Sequence, residues 1–208
     1  MSLISIVSDE QATPEQANFF KHCAKLMGRV ANALRVASHS PRVAQALVGF
    51  MIPTLRHEVT ENVPVRIKAI VILKTSLLNA CAYCVGHNTA LSRAVGYSDE
   101  QLAALEGDYM SSALFADDEK AAIQWAECLT LRTYNQKPEA MEALKRHFNE
   151  AQIVEITMVS GFFNFWNRFT DSLQVDIEAS EQVGLIRNSR KVDVDDYLRY
   201  MQSTWWNH

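Results

Sequence analysis

An apolar run from Pro64 to Leu78 opens directly onto Cys81-Ala-Tyr-Cys84-Val-Gly-His87, and this junction restricts the folds open to the chain. Val65, Ile67, Ile70, Val71, Ile72, Leu73, Leu77 and Leu78 fill the run. Its β-branched residues would suit a buried strand, but its length and i, i+3, i+4 pattern predict a buried helix. The cysteines then fall at the start of a second helical segment, reaching about Ala94, with Asn79 as the expected N-cap. In a first helical turn, unpaired backbone N–H groups and the positive end of the helix dipole favour thiolate over thiol. Cys81 and Cys84 lie one turn apart, close enough for a disulfide if that turn adjusts.

The rest of the chain also reads as helix. Pro14 to about Ser38 carries an apolar stripe through Phe19, Phe20, Cys23, Leu26, Met27, Val30, Leu34 and Val36. Ser40-Pro41 reads as the start of a helix over 42–58, with Pro53 placed to kink or end it. Gly96 closes the cysteine helix, and Ser98 caps a short one over 99–105. Further helices are expected over 117–134, with Ile123, Trp125, Leu129 and Leu131 inside, and over 138–147, 152–173 and 194–201. With no convincing strand, no linker and no low-complexity tract, residues 1–208 read as a single all-α domain with an N-terminal helical extension.

Composition narrows the function classes. The net charge of -4 argues against a nucleic-acid binder, and no run of 18 apolar residues points to a membrane span. Residues 1–10 lack a basic stretch followed by a long apolar core, so a cytoplasmic location is expected. In that compartment a close cysteine pair is more often catalytic, redox-active or metal-binding than structural. There is no Gly-rich phosphate loop and no sign of a nucleotide or flavin site, so no cofactor is expected.

Each candidate has a plainer alternative. Cys81 and Cys84 form a redox dithiol or act as two small buried hydrophobes. A zinc site needs four ligands; Cys81, Cys84 and His87 offer three, with Cys23 or Cys128 as distant fourths, and no second CxxC exists. No metal is therefore expected, and Cys23 and Cys128 read as core cysteines. His87 is placed to deprotonate a thiol or to hold it as thiolate, or is a surface or interface histidine. Tyr83 either donates a hydrogen bond near a substrate or packs. Glu155 sits among Ile153, Val154, Ile156 and Met158, where burial would raise its pKa and make it a supporting acid. Glu58 and Glu61 read as solvated charges. Arg168 reads as an ion-pairing residue rather than a carboxylate binder.

Pro64-x-Arg66-Ile67, Asn79-Ala-Cys81-Ala-Tyr83-Cys84-x-x-His87, Ala94-Val-Gly96-Tyr-Ser98-Asp-Glu-Gln-Leu102 and Asn164-Phe-Trp-Asn167-Arg168 together resemble the AhpD-like alkylhydroperoxidase and carboxymuconolactone decarboxylase superfamily. The matches cover roughly half of the chain. The resemblance implies an all-α fold and a homo-oligomer, a trimer or hexamer. It also implies a CxxC-dependent peroxidase or thiol–disulfide oxidoreductase of antioxidant defence, regenerated by a dithiol reductant. Cys84 then looks like the thiol that meets a small peroxide, Cys81 the resolving thiol and His87 the assisting base. Two positions depart from the peroxidase pattern. Ala69 stands where those members carry a glutamate, and Asn88 where they carry a histidine, with His87 one residue earlier. One residue on a helix is a rotation of about 100°. Alternatives within the resemblance are a decarboxylase-like lyase that does not depend on the cysteines, and a non-catalytic redox sensor or scaffold.

Overall fold

The computed structural model describes residues 1–189 and 191–205, and every regular element among them is helical. In chain order these are α1 (Pro14–Met27), α2 (Asn32–Ala37), α3 (Pro41–Leu55), α4 (His57–Thr60), α5 (Val65–Leu78), α6 (Ala82–Ala94), α7 (Asp99–Glu106), α8 (Asp117–Leu131), α9 (Pro138–His147), α10 (Glu150–Ser172), α11 (Ser180–Gly184) and α12 (Val194–Trp205). A 3-10 turn over Leu185–Ser189 follows α11. No helix among the described residues is long and apolar enough to cross a membrane.

α5 is the centre of the fold. It packs against α6, α8 and α10, and every residue from Ile67 to Ser76 is buried. A helix apolar on all sides has nowhere else to go. Two lysines are buried with it, and each needs a partner to offset lost hydration. Lys68 Nζ lies 2.6 Å from Glu155 Oε1 and donates to the Pro53 carbonyl at 2.7 Å. Lys74 Nζ donates to the Leu105 carbonyl at 3.2 Å and stands 3.4 Å from Glu127. α1, α2, α3 and α12 extend the core along α10, where Phe19, Leu34, Val48 and Tyr200 are buried. A second cluster, built on Ile70, Leu73, Tyr97 and Leu105, lies where α5 meets α7.

Several expected boundaries move, each for a local reason. The stripe from Pro14 to Ser38 is two helices, because Gly28 takes a left-handed φ of 74° and caps α1. Pro53 lies inside α3 without ending it. The Gly49 carbonyl, deprived of its usual i+4 donor, accepts the Tyr197 hydroxyl of α12 at 2.8 Å. Leu131, expected inside, ends α8 half exposed. The segment 180–189 forms helical turns that no periodicity announced. Cys23 and Cys128 are fully buried core residues, as read.

The α5–α6 corner carries the one non-glycine strain next to the dithiol. Ala80, exposed and directly before Cys81, holds a left-handed φ of 53°. That conformation costs about 1–2 kcal/mol for an L-residue. Ala80→Gly is therefore expected to stabilise the fold by about 0.5–1 kcal/mol after the added freedom of the unfolded chain is subtracted. Urea unfolding would read this as a higher midpoint at unchanged slope. A lower midpoint would show that the corner is not strained.

Candidate active site

Cys81 is itself the N-cap of α6: its Sγ accepts the Cys84 backbone N–H at 3.3 Å. It takes the position expected of Asn79. Asn79 instead closes α5, its Nδ2 donating to the Thr75 carbonyl and to Asn164 Oδ1, each at 3.0 Å. Thr170 of α10 sits between the two sulfurs, with Oγ1 3.2 Å from Cys81 Sγ and 3.1 Å from Cys84 Sγ. Both cysteines are free thiols. Cys81 is wholly buried, whereas Cys84 lines a cavity of about 100 Å³. Tyr83, His87, Asn88, Arg29 and Arg56 give that cavity its polar wall. Leu34, Met51, Phe163 and Trp166 contribute to the apolar one.

The two sulfurs share a proton unequally. The hydrogen bond from the Cys84 thiol draws the Cys81 pKa down from 9.0 to about 6; burial opposes this, and Thr170 and the Cys84 N–H assist it. The same bond, then burial, pushes Cys84 up. The pair thus favours its first charge on the enclosed sulfur and its proton on the sulfur that faces the cavity. Moving that proton from Cys84 to Cys81 transfers the charge to the exposed side without solvent. Thiolate ultraviolet absorbance is expected to rise with a midpoint near pH 6. Thr170→Val, lacking a hydroxyl that favours the charged form, is expected to move the midpoint upward. An unmoved midpoint would remove Thr170 from the account.

His87 stands in the cavity wall beside Cys84 but points neither nitrogen at a sulfur. Its Nδ1 lies 2.9 Å from the Tyr83 carbonyl, which only accepts, so Nδ1 carries the proton. Nε2 lies 2.8 Å from Glu178 Oε2, off the line of a hydrogen bond, so the two pair by charge and proximity. Its ring packs on Tyr83, centroids 4.4 Å apart. The Tyr83 hydroxyl donates to Glu178 Oε1 at 3.2 Å and accepts the Ala33 N–H at 3.1 Å. Asn88, at the position of the family histidine, donates to Ser76 Oγ at 2.9 Å.

Glu178 is the acid that sequence reading missed. It lies on the extended strap between α10 and α11, where neither periodicity nor a motif marks it. Besides His87 and Tyr83 it accepts the Asn32 N–H at the start of α2, and Arg29 Nη1 stands 3.4 Å away. Burial pushes its carboxyl pKa up, but the close approach of His87, with the Asn32 N–H, outweighs it and holds the group at about 2. The Ile177 side chain packs over Gly86, where a Cβ would stand 2.4 Å from Ile177 Cδ1.

The acids and the arginine considered from sequence lie elsewhere. Glu155 is bound to Lys68, to Thr60 Oγ1 at 2.8 Å and to Asn62 Nδ2 at 2.8 Å. Burial does raise its pKa, but these donors more than reverse that, so it is lowered rather than raised. Ala69 is fully buried in α5 and offers no acid. Arg168 folds back onto the Asn164 carbonyl of its own helix at 2.7 Å and makes no ion pair among the described residues. No group of three or more His, Cys, Asp or Glu side chains among the described residues is arranged to hold a metal.

Three comparisons place this geometry among known proteins. Residues 41–127 match the model of the carboxymuconolactone decarboxylase family. YdfG of Bacillus subtilis (strain 168), an uncharacterized protein, is 24% identical over 104 residues, which span 50% of this chain and 70% of YdfG. Among solved structures, a variant of the debrominase Bmp8 in complex with 2,3,4-tribromopyrrole superposes with a TM-score of 0.74 at 19% identity, covering 89% of this chain and 96% of that one. An alkylhydroperoxidase AhpD core protein from Ralstonia eutropha JMP134, peroxidase-related and uncharacterized, gives 0.70 at 15% identity, covering 89% and 96%. The fold is thus AhpD-like, and the segment 41–127, with Cys81 and Cys84 near its middle, matches the carboxymuconolactone decarboxylase family.

Proposed function

We propose that this protein is a dithiol-dependent reductase of small molecules, with an alkyl hydroperoxide as the substrate class it suits best. The observation that carries this reading is the division of labour between two adjacent sulfurs: Cys84 lines the cavity, while Cys81 lies behind it with the lowered pKa. The Cys84 proton passes to Cys81, and the Cys84 thiolate attacks the terminal peroxide oxygen. The O–O bond breaks, Cys84 becomes a sulfenic acid, and the alkoxide takes a proton to leave as an alcohol. Cys81 then attacks the Cys84 sulfur; its proton leaves with the hydroxyl as water, and a disulfide forms. The protein dithiol has lost two electrons and the peroxide has gained them. A dithiol reductant returns them by thiol exchange.

Glu178 takes over the acidic function of the absent family glutamate, acting on the substrate through His87. The pair keeps His87 in the cavity wall, and the Nδ1 proton, held at rest by the Tyr83 carbonyl, reaches the alkoxide when the ring turns toward the cavity.

A carbon–halogen bond accepts the same two electrons, giving a C–H bond, a halide ion and the same disulfide. The aromatic wall of Phe163 and Trp166 supports this second reading. The cavity of about 100 Å³ favours a small hydroperoxide over a ring carrying several bromines, since an apolar cavity of about 150 Å³ holds an unsubstituted benzene ring. The test is dithiol consumption with tert-butyl hydroperoxide and, separately, with 2,3,4-tribromopyrrole, before and after alkylation of Cys84. Thiol-dependent turnover of the hydroperoxide supports the first reading, and of the bromopyrrole alone the second. No turnover of either would overturn the reductase. Decarboxylation that survives alkylation would instead make the protein a lyase.

A further inference from the structure

Among the described residues, the cavity in front of Cys84 is lined by two arginines and by no aspartate or glutamate. The arginines differ. Arg29 is committed to Glu178, 3.4 Å away behind the wall. Arg56 is committed to nothing. It sits in the extended corner between α3 and α4, with φ -122° and ψ 122°, and is 4% exposed. Its Nη1 reaches only the Leu55 carbonyl, at 3.3 Å, and its buried Nε has no acceptor. It forms no ion pair among the described residues. Glu58, two residues on, acts on it through space without pairing, and one oxygen of Glu58 is also buried without a partner.

A buried charge without a partner is costly, and chains of this kind retain one where a ligand completes it. Burial lowers the Arg56 pKa to about 10, which leaves it cationic at neutral pH. Lys68, also near this corner, is neutralised by Glu155 and is not available. Arg168 is exposed on α10 and is not among the residues that line the cavity. The guanidinium fork suits a planar two-oxygen anion.

We propose that Arg56 is a specificity residue that binds the carboxylate of an acidic substrate, so that the Cys84 cavity takes small reducible molecules bearing a carboxylate. This rests on the reading of the cavity as the substrate site, though not on which bond the dithiol reduces. A bound carboxylate supplies Arg56 with its missing acceptor and leaves the reducible end of a short molecule toward Cys84.

The test uses two unreactive isosteres that fit the cavity, butyrate and butyramide, titrated calorimetrically into the reduced wild-type protein. Butyrate is expected to bind at least about tenfold tighter. In Arg56→Met that preference falls to about parity, and in Glu58→Gln it increases, because a competing negative charge is gone. Arg56→Met is also expected to melt no lower than wild type, since an unpaired buried cation has been replaced by an apolar chain of similar length. If Arg56→Met does not fold, Glu58→Gln still decides. Equal affinities in wild type, an undiminished preference in Arg56→Met, or no strengthening in Glu58→Gln would each overturn the proposal. Binding needs no turnover, so a failed reductase assay beside a strong butyrate preference would sink the reaction and leave the site standing.

Discussion

Replacing Cys84 by serine is expected to reduce turnover about a thousandfold or more, because the group that meets the substrate is gone. Cys81→Ser is expected to fail differently. Cys84 still faces the cavity, so it reacts once, and with no resolving sulfur the sulfenic acid persists. Dimedone labelling followed by mass spectrometry should find one adduct, on Cys84, in Cys81→Ser and none in Cys84→Ser. The reaction in Cys81→Ser should also be slow, since Cys84 has lost the base that receives its proton. The opposite labelling, on Cys81 in the Cys84→Ser protein, would reverse the roles. It would mean that the lower pKa decides reactivity rather than access to the cavity.

Glu178→Gln carries the second large effect. The substitution keeps the side chain's size and its capacity to accept from Asn32 and Tyr83, but removes the charge facing His87 and Arg29. Loss of a correctly held imidazole should lower kcat/KM about a hundredfold, at the lower end for general acid–base groups. Because Glu178 acts through His87, the diagnostic readout is the pH profile, whose shape should change along with its height. Stability should fall by about 1.5–3 kcal/mol, the range for hydrogen bonds to charged groups. The sign with pH follows from the carboxyl lying at about 2 in the fold against 4.5 ordinarily. The lowered pKa stabilises the fold fully above pH 4.5, and that contribution disappears as pH falls toward 2. Melting curves of wild type and Glu178→Gln should therefore differ most near neutrality and converge in strong acid. Curves that stay parallel from neutral to acid would show that Glu178 is held by shape rather than by charge.

Local signals made much of this architecture legible. α9 begins at Pro138 and ends at His147 as the pattern predicts, because Pro at the first turn and an amphipathic stripe leave one solution. The dithiol's position at the start of α6 follows from the same kind of cue. Gly28 was hidden because the apolar stripe of α1 continues across it into α2, so the break is visible only as a backbone angle. Glu155 was misjudged for a physical reason. It is only partly buried, with Val154 and Met158 beside it exposed, and its donors Lys68, Asn62 and Thr60, on other parts of the chain, invert the pKa direction. In the proposed site the histidine sits one residue early and its counter-charge comes from a different part of the chain. Glu178 approaches from the strap over Gly86 rather than from position 69 of α5. No rule of spacing joins those two residues.

Tyr83 and Glu178 are 95 residues apart in the chain yet hydrogen-bonded in the fold. The strap lies against α6 and the start of α2, through Tyr83, His87 and Asn32, and has little regular structure of its own. Closing so long a loop carries an entropic cost that contacts made on arrival must offset. The dithiol corner closes a loop of nearly the same length, since Thr170 of α10 stands 89 residues from Cys81 and 86 from Cys84. Sulfurs and carboxylate therefore share one requirement: both are completed only when the chain beyond α9 has returned to α6.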